Sequence, residues 1–338
     1  MKVLLYFEKE KTLRQSGIGR ALRHQKRALE LNNVNYTLNS KDIFDVVHIN
    51  TNFRKSYRLL KKAHKQNKKV IVHGHSTIED FQNSFRLWKL MAPTFNKMIL
   101  RMYRNADAII TPTEYSKSLI ENYSGVICPV FNLSNGIDLN EYEYDEFKVQ
   151  KFKKYFNLND NSKIVIGVGL FFERKGILDF FEIARQMPDI TFIWFGHLNH
   201  FLTPIKVLHA IKRRPSNVIM PGYIDGDIIK GAFSSANLVF FPSFEETEGI
   251  VALEALASKT PLLIRDIPVF DPWLKNHYNC LKGKNNKEFI EQIKYAMNSN
   301  METIVNHGYE TIKEREISLV GKRLIEIYES VSSTINVK

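Results

Sequence analysis

Residues 238–257 read Leu-Val-Phe-Phe-Pro-Ser-Phe-Glu-Glu-Thr-Glu-Gly-Ile-Val-Ala-Leu-Glu-Ala-Leu-Ala, and this stretch decides the fold. A continuous apolar run leads into an acidic turn that closes at Gly249, and a helical pattern follows. The order predicts a buried strand, a tight turn and a helix, the repeating unit of a doubly wound sheet. Glu246 lies in the turn and Glu254 on the helix. Their spacing means little by itself, because chance produces such pairs. The strand before them and the helix after the turn are what indicate a site.

The same alternation of short apolar runs and longer helical patterns fills the chain. The runs are continuous rather than alternating, which is typical of parallel strands covered on both faces. Strands are predicted at Val3–Phe7, Val46–Ile49, Val70–His73, Ala108–Pro112, Ile164–Gly169, Thr191–Phe195, Val218–Met220, Leu238–Phe241 and Pro261–Ile264. Helices are predicted at Ala21–Glu30, Tyr115–Tyr123, Ile177–Met187 and Lys287–Asn298. The fold class is therefore α/β, with doubly wound, Rossmann-like sheets.

The alternation breaks near residues 140–160, where an acidic run gives way to Lys-rich sequence. A chain of 338 residues suits two domains that share a cleft. We place the first domain at residues 1–150 and the second at 151–315, with a C-terminal helix at about 316–333 packing back on the first. In two such domains facing each other, the ligand is expected at the carboxyl ends of the strands.

The charge of the chain is strongly asymmetric. Residues 1–150 hold 24 Lys and Arg against 15 Asp and Glu, which accounts for +9 of the net charge of +12. A basic first half points to an anionic partner, either nucleic acid or an anionic membrane face. The two cysteines of the chain form no metal-binding pattern, and we expect both to be reduced thiols. An apolar run of 18 residues is absent, so we expect no membrane span.

Four short motifs could bind a ligand. Gly17 and Gly19 follow the first strand, where their backbone N–H groups could approach a phosphate or a sugar. A third glycine is missing, which argues against a dinucleotide-binding site. A tight loop without a ligand is equally compatible with the pattern. The turn predicted at Asn135-Gly136-Ile137-Asp138 needs no ligand. His75 closes the third apolar run, where a polar side chain facing the cleft is favoured over zinc, since a third ligand is missing.

The fourth motif opens a helix in the second half. Arg174 and Lys175, with the N–H groups of that helix, suit a diphosphate, although a solvated charged loop would look the same. At the stretch quoted above, the N–H groups of Gly249, Ile250 and Val251 would face phosphate oxygens. Glu254 could then accept hydrogen bonds from ribose hydroxyls, and Glu246 could reach the sugar. The alternative is that these acids only interact favourably with the positive end of the helix dipole and bind no ligand.

Two basic segments carry no acid. Arg54–Lys69 holds eight Lys and Arg. Phe85–Arg104 mixes large apolar residues with cations and resembles an interfacial helix pair, although an ordinary helix with a core face is also compatible. Its candidate membrane-binding residues are Arg86, Trp88, Lys89, Lys97, Arg101 and Arg104. A nucleic-acid-binding signature is absent.

Taken together and in order, these motifs resemble family 4 glycosyltransferases with the GT-B fold, over nearly the whole chain. The likeness is strongest to Gram-positive enzymes that extend monoglucosyl-diacylglycerol to a diglycosyl lipid, the lipid anchor of lipoteichoic acid. Two stretches carry this closer likeness, His73–Phe81 and Glu245–Val251. Thr247-Glu248 replaces the commoner Gly-Phe of the family, so the hexose stays open between glucose and galactose.

The resemblance implies a retaining transfer of a hexose from UDP-glucose or UDP-galactose to a membrane glycolipid, with no metal. Arg174 and Lys175 would neutralise the departing diphosphate. Glu254 would hold the ribose and Glu246 the hexose, which His75 would also contact. The enzyme is expected in the cytoplasm, bound peripherally to the inner face of the cell membrane. A polysaccharide or protein acceptor is the alternative within the family, and a non-enzymatic nucleic-acid-binding protein is the alternative outside it.

Overall fold

A computed structural model describes residues 1–333 as two compact units. Unit 1 comprises Met1–Phe81, Lys89–Asp138 and the described part of the segment that begins at Arg315. Unit 2 comprises Gln82–Trp88 and Leu139–Glu314. Each unit is built on its own parallel sheet of six strands.

The sheet of unit 1 has the order β2-β1-β3-β4-β5-β6. Its strands are β1 (Lys2–Tyr6), β2 (Asn35–Thr37), β3 (Val46–Ile49), β4 (Lys69–His73), β5 (Ala108–Thr111) and β6 (Val130–Asn132). The sheet of unit 2 has the order β12-β11-β10-β7-β8-β9. Its strands are β7 (Ile164–Val168), β8 (Thr191–Phe195), β9 (Val218–Gly222), β10 (Leu238–Phe241), β11 (Leu262–Arg265) and β12 (Leu281–Gly283).

Helices connect the strands and cover the sheets. In chain order they are α1 (Glu10–Leu13), α2 (Gly17–Leu31), α3 (Arg54–Lys65), α4 (Trp88–Tyr103), α5 (Glu114–Glu121), α6 (Glu146–Phe156), α7 (Ile177–Gln186), α8 (Ile205–Lys212), α9 (Asp227–Ser235), α10 (Ile250–Ala257), α11 (Asn286–Asn298), α12 (Glu302–Lys313) and α13 (Ile317–Ser333). Short 3-10 helices occur at Leu139–Tyr142, Glu173–Lys175 and Pro268–Phe270. The predicted α/β class with two doubly wound sheets is confirmed.

The contacts divide the chain at Asp138 rather than near residue 150. The physical reason is helix α6 (Glu146–Phe156), which a boundary at residue 150 would cut in two. Within unit 2, Gly231 of α9 lies so close to α6 that an added Cβ would stand 2.1 Å from the carbonyl oxygen of Lys148. This close packing of the two helices ties residues 146–156 to unit 2.

Helix α13 belongs to unit 1 and packs on α2. Gly321 permits this approach, because a Cβ there would lie 2.5 Å from the carbonyl oxygen of Ala28. Leu324 and Tyr328 of α13 join Leu22 and Leu29 of α2 in one buried apolar cluster. The last helix of the described chain therefore completes the core of the first unit.

Candidate functional site

The site elements of unit 2 meet where the strand order of its sheet reverses. Strands β7 and β10 are hydrogen-bonded neighbours, with Leu238 opposite Val165, although 69 residues of chain separate their ends (168 to 238). The chain leaves β7 into residues 169–176 and leaves β10 into residues 242–249. Open α/β sheets place their ligands at such a reversal point, outside the carboxyl ends of the strands.

Gly176 brings the two loops together. It has a φ of +73°, and an added Cβ would lie 2.4 Å from the carbonyl oxygen of Pro242. Only glycine satisfies both the left-handed backbone and this close approach. The 3-10 turn Glu173–Lys175 is consequently pressed against the loop that follows β10.

Arg174 is bonded on both sides. Its Nε donates to Ser84 Oγ over 2.7 Å and its Nη1 donates to the Glu245 carbonyl over 2.9 Å. Its own carbonyl accepts from the N–H of Phe244 over 2.7 Å. Arg174 thus orients the loop that carries Glu246. Ser84 was not anticipated, because it lies 90 residues from Arg174 in the sequence.

Lys175 and Glu246 form an ion pair in which Lys175 Nζ donates to Glu246 Oε1. The Glu246 side chain is 8% exposed and that of Lys175 is 15% exposed. Burial on its own would raise the pKa of Glu246, but the charges of Lys175 and Arg174 and the hydrogen bond from Lys175 lower it below its ordinary value. Glu246 is therefore a carboxylate at neutral pH, able to accept hydrogen bonds from hydroxyl groups.

Gly249 ends this loop and caps helix α10. Its φ of +86° is left-handed, and an added Cβ would lie 2.9 Å from the ring of Phe241. Ile250 and Val251 are the first residues of the helix. The first N–H groups of a helix lack intrahelical acceptors and favour anions. The predicted strand, turn and helix are all confirmed here.

Glu254 lies one turn into α10 with only 2% of its surface exposed. Its Oε1 accepts a hydrogen bond of 2.7 Å from the hydroxyl of Tyr142. Tyr142 is itself buried, and its ring stands edge-on to Phe233. Tyr142 was not predicted as a site residue, because it lies in the acidic run that we interpreted as a connection between domains.

Arg265 is a second buried cation that the sequence analysis missed. It donates to the carbonyls of Pro242 (3.0 Å) and Lys284 (2.9 Å) and forms an ion pair with Asp179. Its guanidinium lies 3.7 Å from the ring centroid of Phe244. Arg265 therefore fixes the start of the loop that leads to Glu246. A charged residue ending the apolar run Leu262–Ile264 was the signal that could have revealed it.

In unit 1, Gly17 and Gly19 begin helix α2. Ser16 caps this helix by accepting a hydrogen bond from the N–H of Gly19. A Cβ at Gly19 would lie 2.5 Å from the carbonyl oxygen of Leu13, whereas nothing lies within 4 Å of one at Gly17. Packing thus explains Gly19 without a ligand, while the space around Gly17 remains compatible with one.

His75 follows β4 and is buried, with its Nε2 2.8 Å from Asn50 Oδ1. Its ring stacks on His73 with a centroid separation of 3.9 Å. Gln25 Nε2 donates to the same Asn50 oxygen over 2.9 Å and lies 3.0 Å from His73 Nδ1. Asn50 and Gln25, at the end of β3 and on α2, therefore hold the histidine that the sequence identified.

A third histidine continues this network. His48 Nε2 lies 3.1 Å from His73 Nδ1, and His48 Nδ1 lies 2.7 Å from the hydroxyl of Tyr328 on α13. Burial lowers the pKa of His48 to about 3. Burial, with His48 nearby, lowers the pKa of His75 to about 3 as well. For His73, burial and the neighbouring His75 and His48 lower the pKa well below its ordinary value.

Neutral imidazoles could in principle bind a metal, yet these rings stack rather than point their nitrogens at one centre. Among residues 1–333, no group of three His, Cys, Asp or Glu side chains is arranged to hold a metal ion. The zinc alternative considered for the two histidines therefore finds no support in the geometry.

The Asn135–Asp138 segment forms the predicted turn, with a φ of +75° at Gly136. The carbonyl of Gly136 lies 2.7 Å from His24 Nδ1, and Asp138 forms a 3.1 Å ion pair with Arg27. These contacts within unit 1 account for the motif without a ligand.

The basic segment Phe85–Arg104 forms one helix, α4, preceded by turns, and not the helix pair that the pattern suggested. Ile99, Met102 and Tyr103 of its second half are buried. Arg86, Lys89 and Lys97 are exposed, and Trp88 is half-buried. Arg104 is exposed but donates to the Ser124 carbonyl over 2.6 Å.

Arg101 joins α4 to the other basic segment, since its guanidinium lies 4.3 Å from the ring centroid of Tyr57 on α3. The solvent face of α3 is basic throughout its length. Its exposed cations are Arg54, Lys55, Arg58, Lys61, Lys62 and Lys65. The two basic segments, predicted separately, thus pack against each other in unit 1.

Two family models match the chain. "Glycosyltransferase Family 4" covers residues 17–141, and "Glycosyl transferases group 1" covers residues 148–313. Among solved structures, Anabaena Alr3699/HepE in complex with UDP and glucose has a TM-score of 0.77 at 16% identity, covering 98% of this chain and 100% of that one. The two parallel six-stranded sheets are those of the GT-B fold.

The chain belongs to the family 4 glycosyltransferases. It is 51% identical over 331 residues, 98% of both chains, to the processive diacylglycerol alpha-glucosyltransferase of Acholeplasma laidlawii. It is also 31% identical over 142 residues, 40% of this chain and 37% of the relative, to the alpha-galactosylglucosyldiacylglycerol synthase of Streptococcus pneumoniae. The predicted family is confirmed, and the non-enzymatic alternative is wrong. In the described chain, no helix is both long and apolar enough to span a bilayer.

Proposed function

We propose that this enzyme transfers glucose from UDP-glucose to a diacylglycerol-based glycolipid at an anionic membrane surface, with retention of configuration. The observation that carries the proposal is the buried Lys175–Glu246 pair beside Arg174, at the reversal point of the unit 2 sheet. It presents cations for a diphosphate and an ionised carboxylate for a sugar. The 51% identity to a diacylglycerol glucosyltransferase supports the lipid acceptor.

The name of that relative also favours glucose and retention. It describes an alpha-glucoside product, and UDP-glucose is itself an α-glycoside, so retention connects donor and product. Galactose is the second candidate because of the shorter likeness to a galactosylglucosyl lipid synthase. Transfer on the same face of the sugar, through an ion-pair-like transition state, needs no protein nucleophile.

The predicted donor-site residues keep their roles in the proposal. Arg174 and Lys175 stabilise the charge that develops on the leaving diphosphate, with help from the N–H groups of Gly249, Ile250 and Val251. Glu246 accepts hydrogen bonds from hexose hydroxyls and Glu254 from ribose hydroxyls. The contact of His75 with the hexose, and of Gly17 and Gly19 with the donor, remain predictions from the resemblance.

The anionic surface is proposed from the basic faces of α3 and α4. Clustered Lys and Arg residues attract anionic lipids, and Trp88 with the exposed apolar residues of the first α4 turns, Leu90 and Met91, suits the interface. The membrane contact then includes Arg86, Lys89 and Lys97. Arg101 supports it indirectly through its contact with Tyr57.

The test incubates the purified full-length protein with UDP-glucose or UDP-galactose and vesicles containing diacylglycerol or monoglucosyl-diacylglycerol. Mass spectrometry identifies the lipid products, and NMR coupling constants give the anomeric configuration. We expect glucosylated lipid with α configuration, and none with Glu246→Gln. Modification of a soluble saccharide with no lipid product would overturn the acceptor. That outcome would favour the polysaccharide alternative, in keeping with 30% identity over 77% of this chain to the Salmonella O-antigen chain mannosyltransferase RfbU.

A further inference from the structure

Unit 2 carries an exposed apolar surface that lies mostly outside the predicted motifs. We call it the 201 surface and define it by the residues Arg86, Leu87, Phe201, Leu202, Ile205 and Lys206. Phe201 is 79% exposed, Leu87 60%, Ile205 47% and Leu202 43%. Soluble proteins rarely leave several large apolar side chains open to water in two adjacent segments unless something covers them.

The two segments of the surface are joined by a hydrogen bond. The N–H of Arg86 donates to the carbonyl of Leu202 over 2.9 Å. Next to Arg86, Phe85 stands edge-on to Phe172, with ring centroids 4.9 Å apart. The stretch 82–88 is thus anchored on unit 2 and lies beside the loop that carries Phe201.

That loop is itself ordered by hydrogen bonds. The Asn199 side chain accepts from the N–H of Phe201 over 2.9 Å, and its carbonyl accepts from the N–H groups of Leu202 and Thr203. Thr203 is fully buried and its hydroxyl donates to the same carbonyl. Phe201 is therefore held outward by a bonded turn, which reduces the entropy lost when it is immobilised.

The charges around the 201 surface indicate what covers it. The sequence contains no Asp or Glu from residue 190 to 224, nor from 81 to 106. Helix α8 begins within the 201 surface and continues it with the exposed cations Lys206 and Lys212 and the exposed His209, which lies one turn beyond Ile205. Val207 on its opposite side is fully buried. Apolar side chains ringed by cations without acids are complementary to an anionic bilayer interface.

We infer that the 201 surface is a second membrane-docking element, through which unit 2 inserts Phe201 and Leu87 among the headgroups of an anionic bilayer. The inference rests on the proposed membrane function and extends it from the basic helices of unit 1 to the nucleotide-sugar-binding unit. Arg86 and Lys206 pair with lipid phosphates while the apolar side chains lie between them.

The experiment uses the full-length protein and vesicles of phosphatidylcholine with about 30% phosphatidylglycerol, which gives a strongly anionic surface. Phe201→Ser and Leu87→Ser are compared by flotation with Phe147→Ser. Phe147 is a matched control, because it is an aromatic of unit 2 that is 68% exposed and directly follows the acids Asp145 and Glu146 at the start of α6. The expected fall in vesicle partitioning is about tenfold for Phe201→Ser and little for Phe147→Ser.

The depth to which each side chain enters the bilayer is measured by tryptophan fluorescence, with Phe201→Trp and Phe147→Trp bound to vesicles that contain brominated lipid. Trp194 and Trp273 are buried, so the native background comes mainly from Trp88 and is subtracted with the wild type. Bromine quenches the tryptophan at position 201 if the side chain enters the bilayer. The tryptophan at position 147 is expected to keep its emission.

The outcomes separate the two proposals. Wild type that binds anionic vesicles while Phe201→Ser binds equally well, with Trp at 201 unquenched, overturns the 201 surface and leaves the proposed function standing. Wild type that does not bind at all overturns both. A Phe201→Ser variant that changes the sedimentation coefficient of the lipid-free protein, with vesicle binding intact, shows that a second copy covers the surface and also overturns the inference.

Discussion

Lys175 Nζ donates to Glu246 Oε1 in a pair of which only 15% and 8% of the side chains remain exposed. Each charge is therefore held in place by the other. Without its partner, either one would be desolvated and uncompensated. The pair joins the turn after β7 to the loop after β10, so it has a structural as well as a proposed chemical role.

Glu246→Gln is predicted to lower the free energy of unfolding by about 3 kcal/mol, because it removes the carboxylate that pairs with the largely buried Lys175. Glu182→Gln is the matched control, since it breaks an ion pair to Arg185 whose side chains are about half exposed, at 51% and 49%. That change should cost less than about 1 kcal/mol. Urea titrations measure both, and equal losses would show that the Lys175–Glu246 pair contributes no more than a surface pair.

The same variant predicts a pH dependence with a definite sign. The pKa of Glu246 is lowered by Lys175 and Arg174 against the effect of burial, so the folded state favours the carboxylate. The stabilisation is then present above the ordinary value of 4.5 and is lost as the pH falls through the lower folded value. The difference between wild type and Glu246→Gln should be constant from neutral pH down to about 5 and shrink only on further acidification.

The three buried histidines are predicted to make the protein sensitive to mild acid. Their folded pKa values lie well below the ordinary 6.5, by burial in all three and, for His73 and His75, also by neighbouring histidines. Stability is fully present above 6.5 and is lost as the pH falls toward 3, by about 1.4 kcal/mol per pH unit for each group.

His48→Gln should therefore reduce the slope of unfolding free energy against pH by about one third between pH 6 and 5. His209→Gln, at an exposed position of α8, should leave the slope unchanged. Reading the slope rather than the absolute stability keeps the test independent of any packing defect at His48. Identical slopes in all three proteins would show that these histidines do not govern the acid response.

Two glycines are predicted to differ in their tolerance of alanine. Gly176→Ala should lower stability by about 1–3 kcal/mol and reduce kcat, since the Cβ would strike the Pro242 carbonyl from a left-handed backbone and displace Arg174 and Lys175. Gly17→Ala adds a Cβ into open space in the first turn of α2 and should keep the melting temperature. A Gly17→Ala variant that is stable but binds UDP-glucose weakly, by calorimetry, would support the predicted donor contact.

Tyr142→Phe is predicted to raise the KM for the donor severalfold with a loss of about 1 kcal/mol in stability, because it removes the hydrogen bond that orients Glu254. Tyr144→Phe is the control, since Tyr144 is 67% exposed and bonds only the exposed Glu146 nearby. Steady-state kinetics with varied UDP-glucose distinguishes them. A KM for the donor that is unchanged by Tyr142→Phe would show that the orientation of Glu254 by Tyr142 does not contribute to donor binding.

All nine predicted strands occur in the structure, because a strand covered on both faces must be continuously apolar. The three that were missed, β2, β6 and β12, are three-residue edge strands. Edge strands have one partner and one less crowded side, so Asn35–Thr37 and Leu281–Gly283 carry no comparable apolar run. Their pairing is set by the strands already in place and not by their own composition.

The local site motifs were predictable for a related reason. Glycines with left-handed backbones and charges after apolar runs are local signals, and they located Arg174, Lys175, Glu246 and Gly249. Ser84, Tyr142 and Asn50 act through tertiary contacts with residues 90, 112 and 25 positions away, and a single sequence carries no trace of such pairing.

The hydrogen bond between His48 and Tyr328 links positions 280 residues apart. During synthesis, the ribosome therefore releases all of unit 2 before it releases the helix that seals unit 1. Unit 2 can finish folding while the sheet of unit 1 still lacks the cover over Leu22 and Leu29. The half of the chain that is synthesised first is therefore the half that completes its fold last. Chaperones or the membrane can act on unit 1 during that interval.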